Sequence, residues 1–117
     1  MGKPVVHFDI GCHDKDRSRA FYEAVFGWQS EPYGPFSFKL DTGSQRGIQG
    51  FTTALGHEPH SYVMLYVEVE DIPKHWKTIG SQGGRVIVTE TPVPGAGHFA
   101  WCHDPHGNLF GLWKPGS

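Results

Sequence analysis

The sequence predicts an α+β fold made of two consecutive βαβββ modules. Three observations carry that prediction. Two segments alternate apolar and polar residues with a period of two, each is followed by a short helical pattern closed by glycine, and three short aromatic or β-branched runs follow each helix. The 117 residues suit a single domain, and 16 glycines with 9 prolines, spread along the chain, punctuate many short elements.

Residues 5–11 put Val6, Phe8 and Ile10 on one face of a strand and His7 and Asp9 on the other. The next stretch, "DKDRSRAFYEAVFGW", offers Asp14, Asp16 and Ser18 as start signals and Gly27 as a stop. Between them Ala20, Phe21, Ala24 and Val25 recur at helical spacing, which predicts a helix with those residues as its apolar stripe. Three strands are expected at "WQSE", "FSFKL" and "GIQGFT", separated by Pro32, Gly34, Pro35, Gly43 and Gly47.

Residues 55–61, "LGHEPHS", read as a linker, after which the order returns. In "YVMLYVEVED" the residues Val63, Leu65, Val67 and Val69 share one face, expected to pack beneath a helix, and Met64, Tyr66 and Glu68 share the other. "DIPKHWKTIGSQGG" supplies a cap at Asp71, a first-turn proline at Pro73, and Ile72, Trp76 and Ile79 as a stripe. "GRVIVTETP", "HFAWCH" and "NLFGLW" then predict three strands. Asp14 and Asp71 hold matching places, with Gly27 and Gly84 each thirteen residues later.

A net charge of −2 from 10 basic and 12 acidic residues, scattered rather than blocked, leaves no footprint for nucleic acid or anionic lipid. Neither partner is expected. Without an apolar run of about 20 residues or a charged-then-apolar leader, the expected location is cytoplasmic. Cys12 and Cys102 stand far apart and in no CxxC, so neither a disulfide framework nor a thiolate zinc site is indicated.

The ending "HFAWCHDPHGNLFGLW" packs three histidines, a cysteine and an aspartate together, which raises metal binding as one reading. A tight turn is the stronger one. Asp104 can bond the backbone that follows it, Pro105 presets φ, and Gly107 can take a positive φ, whereas the spacing of a compact zinc site is missing.

The order of elements, with "D-x-D-R-S-R-A-F-Y-E-A-V-F-G-W", "V-E-V-E-D-I" and "P-G-A-G-H-F-A-W-C-H-D-P-H-G-N-L-F-G-L-W", resembles the vicinal oxygen chelate superfamily. That superfamily holds glyoxalase I, the bleomycin-resistance proteins and the extradiol dioxygenases, and this chain is similar to its single-domain, glyoxalase-like branch. The resemblance covers nearly the whole chain. It implies a curled mixed sheet forming a cup, helices outside, a small molecule inside, and a homodimer. It also implies four metal-ligand positions, which fall here on His7, Gln49 (or its neighbour Gly50), Met64 and Gly111. Methionine suits hard divalent ions poorly and glycine has no side chain to offer, so a divalent ion is expected only if His7 and Gln49 make a degenerate site. No other cofactor is expected.

Strand alternation turns His7, Asp9, Met64, Tyr66 and Glu68 away from the helices. The expected substrate contacts are Asp9, Phe38, Gln49, Met64, Tyr66 and Trp113, with Trp28 at the rim. His7 and Glu68 are the candidate proton-transfer groups, because imidazole titrates near neutrality and a carboxylate can act as base. Three functions stay open. They are a protein that binds a small, partly aromatic molecule, a lyase or isomerase that enolises a carbonyl compound, and an interaction module that has lost the cup.

Overall fold

The computed structural model describes residues 2–56 and 59–116, so positions 57 and 58 of the expected linker lie outside the described residues. The elements are β1 (Val5–Gly11), α1 (Lys15–Phe26), β2 (Gln29–Tyr33), β3 (Ser37–Asp41), β4 (Gln49–Thr53), β5 (Val63–Glu68), a 3-10 turn (Pro73–His75), α2 (Trp76–Ser81), β6 (Arg85–Val93), β7 (Gly97–His103) and β8 (Leu109–Pro115). The α+β class and the repeated βαβββ order stand as the sequence predicts. The chain divides into two compact units, one of residues 7–64 and one of the residues up to Val6 together with those from Leu65 onward.

In the unit of residues 7–64 the strand order is β2-β3-β4-β1, antiparallel except for the parallel β1–β4 pair. The Asp14 carboxylate accepts from the backbone N–H groups of Asp16 and Arg17, and Gly27 closes α1 in the left-handed region at φ 71°. The helix docks through the Ser18 hydroxyl, 2.6 Å from the hydroxyl of fully buried Thr52. Lys15 and Arg19 stand over the ring of Phe38 at 4.6 and 5.0 Å. Glu23 reaches the Ser30 hydroxyl.

This contact face overturns one expectation. Ala20, Phe21, Ala24 and Val25 do not face the sheet but point outward, with Phe21 57 % and Val25 53 % exposed. The physical reason lies in β3 and β4, which offer hydroxyls and an aromatic face beneath the helix, and these are satisfied by the polar side of α1. Trp28 likewise is no rim residue. Its ring packs between Tyr22 and Phe8, at 5.3 and 5.8 Å between centroids, on the helix side of the sheet.

The other unit has strand order β5-β8-β7-β6, with β5 and β8 parallel and the remaining pairs antiparallel. Its core joins Val69, Ile72, Ala100, Cys102 and Leu112, packed by Val67, Trp76, Ile79, Val86 and Phe110. The expected stripe of Ile72, Trp76 and Ile79 is therefore the buried one. The expectation for the leading strand holds only at its far end, because Val63 is 72 % and Leu65 47 % exposed. Helix α2 runs for only six residues and covers Val67 and Val69 but not the start of β5.

The histidine-rich ending is a turn. The Asp104 carboxylate accepts from the backbone of His106 and Asn108 and from the Asn108 amide, each at 2.9 Å, and Gly107 takes φ 83°. Those three bonds hold the Asp104 carboxyl below the ordinary carboxylate range. Cys102 sits in the core, its thiol pushed up to about 11 by burial. The Cys12 thiol meets the Thr53 carbonyl at 3.5 Å.

Candidate functional site

The hydroxyl of Thr52 faces α1, so its neighbours on β4, Gln49, Phe51 and Thr53, occupy the opposite, helix-free face. His7 and Asp9 share that face, opposite Gln49 and Phe51 in the parallel register. His7 meets the edge of the Phe51 ring at 4.7 Å between centroids, and burial lowers its pKa to about 4. At neutral pH it is an uncharged imidazole.

Asp9 is 5 % exposed. Its carboxylate accepts from the Thr53 hydroxyl at 2.9 Å and from the Tyr62 hydroxyl at 3.4 Å, and Thr53 is bonded in turn to Ser37 at 2.9 Å. These hydroxyls stabilise the charged form, but burial dominates and raises the pKa to about 6. The result is a carboxyl poised to exchange a proton near neutrality beside a neutral imidazole. Thr53 and Tyr62 escaped the sequence reading, although period-two counting from Gln49 and from Met64 would have placed both on this face.

Phe38 lies apart from this group, on the helix side beneath Lys15 and Arg19, so it does not join His7 and Asp9. Gln49 shares their face, but its side-chain oxygen accepts from the Thr42 backbone at 2.5 Å and its amide nitrogen leans toward the Ser44 carbonyl. Met64 is buried at 1 % exposure.

In the other unit, Ala100, Cys102 and Leu112 turn into the core, so Phe99, Trp101, Gly111 and Trp113 take the helix-free face together with Tyr66. Gly111 is paired with Tyr66 on one side and Trp101 on the other. A Cβ at Gly111 would collide with the Tyr66 ring, so the missing side chain is what lets that ring lie across β8. The Trp101 indole donates to the Tyr66 hydroxyl at 2.9 Å, and Phe99 stands 6.1 Å from Trp101 between ring centroids. Trp113 is paired with both Phe99 and Glu68. Glu68 also borders an open cleft of about 420 Å³ with Lys3, Pro4, Glu70 and Lys114, a recess whose lining holds none of the other expected site residues.

The residues present do not fit the metal that the resemblance implies. Gln49 is committed to the loop after β3, Met64 is an enclosed thioether, and Gly111 is overlain by Tyr66, which leaves His7 as the one imidazole or carboxylate among the four positions. Among the described residues no three histidine, cysteine, aspartate or glutamate side chains are arranged to hold an ion.

Four similarities to known proteins bear on the family and the fold. A family model described as Glyoxalase/Bleomycin resistance protein/Dioxygenase superfamily matches residues 5–112. The anthracycline biosynthesis protein DnrV of Streptomyces peucetius is 29 % identical over 131 residues, which cover 93 % of this chain and 46 % of the relative. The chain thus spans about half the length of that curated relative. A crystal structure of methylmalonyl-CoA epimerase from Mycobacterium tuberculosis superposes with a TM-score of 0.71 at 19 % identity, covering 97 % of this chain and 88 % of the other. A Bacillus halodurans protein, BH1468, superposes with a TM-score of 0.73 at 12 % identity, over 100 % and 97 %. At these identities both structures speak for the fold alone.

Proposed function

Because the chain belongs to the glyoxalase/bleomycin resistance protein/dioxygenase superfamily, we propose that it binds a small organic molecule with a flat aromatic part, without the full metal site of the metal-dependent members. One observation carries the reading. On the helix-free face of the second unit, largely buried Tyr66 fills the place over Gly111 where the resemblance would put a metal-ligating side chain, and its hydroxyl fixes the partly exposed indole of Trp101, with Phe99 alongside. A row of rings held by a hydrogen bond is a stacking surface of low conformational freedom, and aromatic stacking contributes about 0.5–1.5 kcal/mol per ring pair beyond area burial. The match to a protein of anthracycline biosynthesis supports a polycyclic aromatic ligand over an aliphatic one.

Calorimetric titration with anthraquinone-2-sulfonate, a planar aromatic probe, tests this. Stoichiometric binding that Trp101→Leu weakens at least tenfold is the expected result. Absence of binding to the probe, or equal affinity in the variant, refutes it.

A second reading, proton transfer at a carbon next to a carbonyl, draws support from Asp9. A carboxyl with a pKa near 6 beside an imidazole held neutral is a more suitable proton acceptor than Glu68 at its open cleft. In this reading Asp9 accepts the proton and His7 donates a hydrogen bond to the enolate oxygen. Deuterium uptake from heavy water into methylmalonyl-CoA, lost in Asp9→Asn but not in Glu68→Gln, is the expected signature.

A further inference from the structure

The helix-free face of the second unit changes character along its strands. Val86 and Cys102 pack into the core, so their neighbours Arg85 of β6 and His103 of β7 turn to the face that carries Trp101 and Tyr66. Arg85 and His103 are partners in the antiparallel register, and the Arg85 guanidinium donates to His103 Nδ1 at 3.5 Å. A guanidinium has no acceptor, so in this bond Nδ1 accepts and the ring's N–H is at Nε2. Both residues therefore bring N–H donors to one end of the aromatic row. From His103 to Trp101, and again from Trp101 to Phe99, the step along β7 is about 6.5–7 Å.

The two ends of the row also differ in charge. At the Phe99 end Trp113 is paired with Glu68, and the cleft beside it sets Glu68 and Glu70 against Lys3 and Lys114. At the other end Arg85, an exposed residue, has no carboxylate within ion-pair distance among the described residues. The acid next to it in the fold, Asp104, is committed to its own turn, where it accepts from His106 and Asn108.

We propose that the ligand of this face is an aromatic acid, a planar ring compound whose anionic group docks on Arg85 and His103 while its rings lie along Trp101 and Phe99. The inference rests on the aromatic-ligand reading above and adds the ligand's charge and its direction. A guanidinium fork matches two oxygens of a carboxylate, sulfonate or phosphate with parallel hydrogen bonds, and the imidazole Nε2 supplies a further donor. The contact between Arg85 and His103 already restrains the long arginine side chain, so less freedom is lost when the anion arrives. Leu109, paired with His103, and Val88, paired with Trp101, are both half-buried and border the pair with apolar surface, which strengthens a charged contact made there. The reverse orientation brings the acid to Glu68, where like charge opposes it.

Calorimetric titration of the full chain with two probes of one ring system tests this, anthraquinone-2-sulfonate and the uncharged 2-(hydroxymethyl)anthraquinone. The wild type is expected to bind the sulfonate about tenfold or more tightly than the alcohol. Arg85→Gln, with circular dichroism unchanged, is expected to bring the sulfonate down to the affinity of the alcohol and to leave the alcohol where it was. Lys114→Gln makes the same change in net charge at the far end of β8, and is expected to alter neither affinity. Equal affinities of the two probes in the wild type overturn this inference and leave the aromatic-ligand reading standing, whereas failure of both probes to bind overturns both. A sulfonate preference that survives Arg85→Gln, or that Lys114→Gln abolishes equally, overturns the assignment to Arg85.

Discussion

The ring of Tyr66 occupies the volume into which a side chain at Gly111 would project. The two residues are partners in the parallel β5–β8 register, so neither can move aside without disturbing the ladder. Gly111→Ala is therefore expected to cost about 1–3 kcal/mol as overpacking. Combined with Tyr66→Ala, the glycine substitution should cost less than half of what it costs alone, because the obstructing ring is gone. Urea denaturation of the four species measures this, and additive losses would contradict the shared volume.

The absence of a fitting ligand set around His7 leads to a second expectation. Titrating wild type and His7→Ala with zinc, nickel and manganese ions, and following the thermal midpoint, should give the same response in both proteins. Any ion-dependent rise that His7→Ala abolishes would reinstate a centre at this imidazole.

Half-buried His7 and buried Asp9 give opposite pH dependences. Folding excludes a proton from His7, whose pKa falls from 6.5 to about 4, so its contribution is complete above pH 6.5 and is lost as the pH drops from there toward 4. Asp9 keeps a proton that the unfolded chain releases above 3.8, so its contribution is complete below 3.8 and is lost as the pH rises through about 6. Asp9→Asn should accordingly be more stable than wild type above neutrality by about 1–3 kcal/mol, with the gap closing toward acid pH. Chemical denaturation at a series of pH values reads that gap directly. A pH-independent gap would mean that the carboxylate is hydrated.

The docking of α1 through hydroxyls makes a third stability test. Ser18→Ala removes one of the partners of the fully buried Thr52 hydroxyl, which still donates to the Ile10 carbonyl at 3.1 Å, and is expected to cost about 0.5–1.5 kcal/mol. Thr52→Val should cost a similar amount, and the double variant less than the two together. Full additivity would show that the 2.6 Å contact contributes nothing.

Much of the architecture was legible in the sequence, since period-two alternation, the Asp14 and Asp71 caps and the glycine stops act locally and mark each element where it forms. The turn from Asp104 to Asn108 was legible for the same reason, its hydrogen bonds being short-range. The face of a strand on which His7, Asp9, Tyr66 and Glu68 stand follows from alternation alone. Phe38 shows the limit of that reasoning, because its side of β3 depends on register with β4, which the local sequence does not encode.

Tertiary structure alone decided which side of α1 meets the sheet. A helical repeat of apolar residues identifies a stripe but not its partner, and here the sheet satisfies the polar side through Thr52, Phe38 and Ser30 and leaves Phe21 and Val25 outside. It also decided that a tyrosine lies over Gly111 and that Gln49 is held by the loop after β3, contacts made between strands distant in sequence. The protonation of His7 and Asp9 belongs to the same class, because burial sets it and burial is a property of the assembled chain.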